Sequence, residues 1–505
     1  MPEIPPHPPQ RPLRLVVPSG SDSLLRHFTE VLGGPLGKRT APGIVAPHIF
    51  TVERVLILLT VGAALLSIAV KQYCRTNGWE SPAQFYSTCY SDFPELFRNR
   101  GIGDGTLPIF TAGASLEYPV LIGFLAALTA LLTPGEGYSA ARSLAYFDIN
   151  ATLIAAVWIV TVIATARMAG RRPWDAAMVA LAPGIVLAGV INWDMWAAGL
   201  LAMGMLFFAR NRLVPAGILI GLAVATKLYP VIFLGAIFLL GLRTGRWRPF
   251  IVTTAAAAAT WGAVNLPVAL LNPAAWESFG QFSVGREAGY GSAWFAYNLV
   301  AGQTGSSVLE PRTINLLFAG LFVLSCLGIA AVAVTAERRP RLAQLLFLGV
   351  AAFILCNKVY SPQFVVWLIP LIALARPRWR DYLVWQGAEV LHWAATWMYL
   401  GRITSNGPSQ HNIDTPYYVL AVILHMLATA YLMARVIWDI YQPAMDPVRR
   451  QGMDDPQGGP FREAPDARYF PLRRGGGATS YDGMHALLDK SATEPRDQRA
   501  KGNHA

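Results

Sequence analysis

Residues 213–242 read LVPAGILIGLAVATKLYPVIFLGAIFLLGL, thirty positions with one charge, Lys227, and with Pro230 three residues beyond it. Such a run is long enough to enter a bilayer, and a proline at its centre breaks it into a hairpin of two short helices. Lys227 then lies near the hairpin tip. It is too central for its stem to carry the ammonium to the interface marked by Arg210/Arg212 or by Arg243/Arg246/Arg248. An ammonium placed there is expensive unless it meets a partner or a ligand.

The rest of the chain repeats this pattern. Apolar residues make up 54% and charged residues 14% of the 505 positions, and stretches such as 55–70, 176–191 and 342–356 carry no charge. Candidate spans fall at about 51–70, 145–168, 174–191, 194–210, 213–226, 229–242, 249–271, 313–336, 342–357, 363–376, 383–400 and 416–438. This predicts an all-α, polytopic membrane protein with about twelve transmembrane helices, embedded in a lipid bilayer. The net charge of +11 does not point to nucleic acid. Its excess sits between apolar segments, at Arg171/Arg172, Arg210/Arg212, Arg243/Arg246/Arg248, Arg338/Arg339/Arg341 and Arg376/Arg378/Arg380. Clusters of this kind mark cytoplasmic loops. They fall on one side only if the apolar segment 118–133 does not cross, so it is expected to be a juxtamembrane helix on the outer side, with both termini cytoplasmic.

The chain divides into a Pro-, Gly- and Arg-rich arm over 1–46, a transmembrane domain over 47–442, and a Gly-, Pro- and charge-rich tail over 443–505. Composition predicts disorder in both arm and tail. No secretory signal pattern appears in residues 1–46, and no internal repeat of the kind common in secondary transporters is visible.

Four groups at the outward ends of the spans carry chemistry. Asp92, in Cys89-Tyr-Ser-Asp-Phe-Pro94, is placed to act as a general base or to cap a helix opened by Pro94. Asp194, in Asn192-Trp193-Asp194, has no basic residue within ten positions and reads either as a substrate contact or as a helix cap. Lys227 and Tyr229, ahead of Pro230, suit a phosphate. Lys358 and Tyr360, with Gln363 after Pro362, repeat that arrangement, or else lie at the headgroups. The loop 272–312 adds Arg286 among aromatics and glycines, which suits a mobile cover or an interfacial anchor. His392 and His425 stand singly in apolar helices and read as buried, hydrogen-bonded side chains; no metal-ligand spacing is seen. Cys74 and Cys89 share the first outward loop, where a disulfide closing ~15 residues would contribute about 3 kcal/mol; two free thiols are the alternative.

Taken in order, Asp92, Glu117-Tyr118-Pro119, Asn192-Trp193-Asp194 and Lys227-Leu-Tyr229-Pro230 resemble the GT-C glycosyltransferases, in particular the actinobacterial mannosyltransferases of glycosyltransferase family 87. The resemblance covers about 50–440 and is strongest over 85–235. It implies a GT-C fold and an inverting hexosyltransferase of the plasma membrane with an extracytoplasmic active site. The implied donor is a polyprenyl-phosphate sugar, such as mannose, and the implied acceptor a glycolipid, glycan or protein. In these terms Asp92 is the base; Lys227, Tyr229, Lys358, Tyr360 and Arg286 meet the donor phosphate; and Glu117, Tyr118, Asn192, Asp194 and Gln363 contact substrate. Relatives that need a divalent metal carry two acids in the second acidic turn, and here Asp194 is alone, so no metal or other cofactor is expected. The competing class is a transporter or lipid flippase.

Overall fold

The computed structural model describes residues 15–16, 22–33, 51–111, 116–405, 412–462, 464 and 466, and among them every regular element is helical. The helices used below are α1 (Ser23–Gly33), α2 (Val52–Val70), α3 (Asp92–Asn99), α4 (Val120–Leu131), α5 (Ala140–Met168), α6 (Asp194–Ala209), α7 (Leu213–Thr226), α8 (Ile232–Thr244), α9 (Arg248–Leu271), α10 (Pro273–Gly285), α11 (Ala293–Thr304), α12 (Pro311–Thr335), α13 (Leu342–Cys356), α14 (Val365–Ala375), α15 (Trp379–Thr404) and α16 (Thr415–Tyr441). Each expected span contains helix, in an all-α membrane architecture. Among the described residues five helices, α2, α5, α9, α12 and α16, are long and apolar enough to cross a membrane. Most of the others are shorter. The 15 residues of α13 rise roughly 22 Å at about 1.5 Å each, less than the ~30 Å hydrocarbon core.

Burial explains the two classes. The short helices α13 and α14 are buried along almost their whole length and are apolar all round, as a helix enclosed by others must be. In contrast, α9 and α12 leave Leu266, Leu270, Leu316 and Leu324 exposed on the outside of the bundle. The stretch 174–191 is not one helix. It is a 3-10 turn at Pro173–Ala176 and two short helices, Ala177–Ala180 and Pro183–Ala188, because Pro183 has no N–H to continue the ladder.

Glu53 at the start of α2 pairs with Arg167 at the end of α5, 2.7 Å apart. These two termini therefore share one end of the bundle. Residues 71–139 begin and finish at the opposite end, and α4 lies within them without a net crossing. The turns at 191–194, 227–231 and 357–364 join them there, while the arginine clusters occupy the first end.

The described parts of the arm and the tail depart from the disorder expected of them. In the arm, Asp22 caps α1 by accepting from the backbone N–H of Leu24 at 3.0 Å, and it also accepts from the N–H of Trp379 at 3.0 Å. In the tail, residues 443–462, with 464 and 466, fold against the arginine clusters. Arg341 pairs with Asp446 at 2.8 Å, both side chains fully enclosed. Arg243 pairs with Asp466 at 2.6 Å, Asp455 accepts from the N–H of Leu342 at 2.9 Å, and Phe461 is fully buried. The folded domain thus runs past 442 to about 466. The remainder of the arm and tail lies outside the described residues.

Candidate active site

Ser91 and Asp92 dock the first loop onto the Asn192 turn. The Ser91 hydroxyl donates to the Val190 carbonyl at 2.9 Å, and the Asp92 N–H to the Ile191 carbonyl at 2.7 Å. Ser91 also caps α3 through the N–H of Phe93, so the cap expected of Asp92 is supplied by its neighbour and the Asp92 carboxylate is released for other contacts. Behind the loop a disulfide joins Cys74 to Cys89, with Cα atoms 5.8 Å apart.

The Tyr118 hydroxyl donates to Asp92 Oδ2 at 2.6 Å and accepts from Asn192 Nδ2 at 3.3 Å. Asn192 Oδ1 in turn accepts from the Asp194 N–H at 3.0 Å. Asp92 keeps partial access to solvent. Its enclosure nevertheless pushes the carboxyl above the ordinary carboxylate range, against the opposing pull of the Tyr118 and Tyr90 hydroxyls and the Lys227 charge.

Asp194 is not unpaired. Its carboxylate lies 2.9 Å from the Lys227 ammonium, with Asp194 sealed and Lys227 still 17% accessible. The ammonium also stands 4.8 Å from the centre of the Tyr118 ring and 6.0 Å from that of Phe364. Lys227 therefore connects the acidic turn to the tyrosine that holds Asp92. Beneath it Tyr229 stacks on Trp367 at 4.3 Å, and the Tyr229 hydroxyl is buried with no hydrogen-bond partner among the described residues.

The remaining expected residues are placed differently. Glu117 is committed to an ion pair with Arg100. Gln363 is half-buried in the turn Pro362–Phe364, whose contribution next to Lys227 is the Phe364 ring. The Lys358 ammonium donates to the carbonyls of Val284 and Arg286, both at 3.0 Å; its donors serve the 285–292 loop. Tyr360 lies behind that loop, fully buried, donating to Glu389 Oε1 at 2.8 Å. Arg286 is the loop's half-buried cation. It stands 5.1 Å over the Phe282 ring, and burial pulls the guanidinium below its ordinary value, opposed by the nearby Asp92 carboxylate. His392 and His425 are buried and hydrogen-bonded, as expected.

Lys71 was not singled out by sequence. It is fully buried at the end of α2 and donates to the Tyr90 carbonyl at 2.9 Å, and burial pulls its ammonium down to about 7. The signal was present: a lysine directly after an apolar span and three residues before Cys74. Glu389 was equally visible, as an acid within the apolar segment of α15.

Residues 116–357 match the family model described as Glycosyltransferase family 87. No curated protein matches the sequence. Among solved structures, the chain is similar to ArnT from Cupriavidus metallidurans bound to undecaprenyl phosphate, at 15% identity and TM-score 0.41, covering 77% of this chain and 78% of that one. It is also similar to the Archaeoglobus fulgidus oligosaccharyltransferase in the apo form, at 14% identity and TM-score 0.36, covering 84% of this chain and 62% of that one. The matched segment contains Tyr118, Asn192, Asp194 and Lys227, the residues gathered around Asp92, and over that segment the chain is similar to the glycosyltransferases of family 87.

Proposed function

We propose that this protein transfers a hexose, mannose in the first instance, from a polyprenyl-phosphate donor to a hydroxyl of a glycolipid or glycan on the outer face of the plasma membrane. The observation that supports this reading best is the network at one end of the bundle, Asp92–Tyr118–Asn192 beside the Lys227–Asp194 pair. A sugar already esterified to phosphate carries its leaving group with it. The chain's own residues then need to take a proton and to stabilise an anion. Asp92 takes the proton of the acceptor hydroxyl. The acceptor oxygen bonds to the anomeric carbon from the face opposite the phosphate, the bond from that carbon to the phosphate oxygen breaks, and polyprenyl phosphate leaves. The configuration is inverted.

Lys227, the accessible half of its ion pair, and Arg286 meet the phosphate. Lys358 and Tyr360 act on the loop that carries Arg286. The Lys227 ammonium already balances Asp194, the counter-charge a divalent ion would otherwise supply, so no metal is required in this reading. Transfer from labelled polyprenyl-phosphate-mannose to a membrane glycolipid extract, in the presence of a chelator, tests the whole reading; no labelled product with the lipid donor would reject it. In the same assay Lys227→Ala should weaken both donor binding and turnover, each by roughly tenfold, because the cation meets phosphate before and during reaction. Lys227→Arg should restore part of the loss, since a planar guanidinium replaces a point charge incompletely.

The raised proton affinity of Asp92 sets the acid limb of the pH profile. A base works only when deprotonated, so kcat/KM should rise with pH through a value above the ordinary carboxylate range. Tyr118→Phe removes a hydrogen bond that favours the charged form, and should move that limb to still higher pH. An acid limb unchanged in Tyr118→Phe would show that a different group titrates.

A further inference from the structure

The loop between α10 and α11 is held by its backbone from behind. Lys358 takes the carbonyls of Val284 and Arg286, the Lys358 carbonyl accepts from the Gly289 N–H at 2.7 Å, and the Tyr418 hydroxyl donates to the Tyr290 carbonyl. The last hold is at Gly291, whose carbonyl lies 3.1 Å from His425 Nε2. The other nitrogen of that ring, Nδ1, lies 3.4 Å from Glu389 Oε2. The ring thus bridges the loop backbone and the Glu389 carboxyl through its two nitrogens. Glu389 is held in turn: Oε1 faces three donors, the Tyr360 hydroxyl at 2.8 Å, the Trp385 N–H at 3.1 Å and the Thr429 hydroxyl at 3.3 Å.

Glu389, His392 and His425 also form a close group of metal-ligand types. The two imidazoles, however, stack face to face at 3.7 Å with planes 2° apart. Their lone pairs lie in parallel planes and do not converge on one point. The group is therefore read as a hydrogen-bonded support.

We propose that the Glu389–His425 pair is a positioning device, which grips the Gly291 carbonyl and so aims Arg286 at the donor phosphate. The inference rests on the reading of Arg286 as a phosphate contact. A second observation supports the grip independently. A Cβ at Gly291 would sit 1.9 Å from the Tyr360 carbonyl oxygen and 2.7 Å from the His392 ring, so only glycine lets the loop seat this closely.

The test uses the purified full chain, labelled polyprenyl-phosphate-mannose and membrane glycolipid extract, together with hydrogen exchange over residues 284–293. His425→Leu should raise the donor KM by about tenfold with kcat within about twofold, and should speed exchange in the loop. His425→Gln keeps a donor for the Gly291 carbonyl and should stay within about threefold of wild type. In an Arg286→Ala background, His425→Leu should add less than about twofold, because both changes act through one contact. Should His425→Leu fail to fold, Gly291→Ala displaces the same loop without touching the pair and should raise KM likewise. Wild-type KM and exchange in His425→Leu would overturn the proposal, as would a full tenfold loss added on top of Arg286→Ala. An unchanged KM in Arg286→Ala alone would reject Arg286 as a phosphate contact, and the exchange data would then still decide whether the pair holds the loop.

Discussion

Asp92→Asn should lower single-turnover sugar transfer by at least ~10²-fold, the usual scale for loss of a general base, with binding of the lipid donor nearly unchanged. The substitution keeps the side chain's shape and leaves an oxygen for the Tyr118 hydroxyl, now 2.6 Å from Oδ2. What it removes is the lone pair that receives the acceptor's proton. The neighbouring acids are poorly placed to substitute, since Glu117 is bound to Arg100 and Asp194 is sealed against Lys227. Transfer at the wild-type rate in folded Asp92→Asn would dismiss Asp92 as the base and turn attention to Asp194.

The second large effect concerns stability, at the other end of the bundle. Asp446→Ala should destabilise the protein by about 3–5 kcal/mol, because it strands a buried arginine without its counter-charge. Arg341 is fully enclosed and gives its other donors to the carbonyls of Leu374 and Ala375. It therefore cannot turn to solvent when Asp446 is removed. Asp454 is 39% exposed in its pair with Arg339, and Asp454→Ala should cost far less. Thermal unfolding of the detergent-purified variants measures the difference. Equal, small losses for both would mean that the 443–466 segment adds little to the fold.

The spans were legible because lipid and helix packing both demand long apolar runs, and the ordered set Asp92, Tyr118, Asn192, Asp194 and Lys227 was legible because each polar group stands out against such a run. The partners were not. Lys227 and Asp194 are far apart in the chain, and each alone looked like an isolated charge; only the packing of α6 beside α7 brings them together. The same limit hid the tail. Its basic and acidic residues nearly cancel, and its glycines and prolines read as disorder. Yet Asp446, Asp455 and Asp466 complement the arginine clusters and the start of α13, and a local reading contains no term for that. The contacts of Lys358 and Tyr360 were hidden for a related reason. Their Lys-x-Tyr pattern repeats that of Lys227 and Tyr229, but the turn is rotated so that the ammonium meets backbone carbonyls.

The central claim is that the outer end of the bundle makes a glycosidic bond at the expense of a lipid phosphate ester. It is tested most directly in vesicles that contain the purified protein, doubly labelled polyprenyl-phosphate-mannose and a glycolipid acceptor, by following sugar and lipid phosphate together. The account predicts one polyprenyl phosphate released for each sugar joined to the acceptor, with the anomeric configuration inverted. Movement of intact donor from one leaflet to the other, with no new glycosidic bond and no free polyprenyl phosphate, would contradict it.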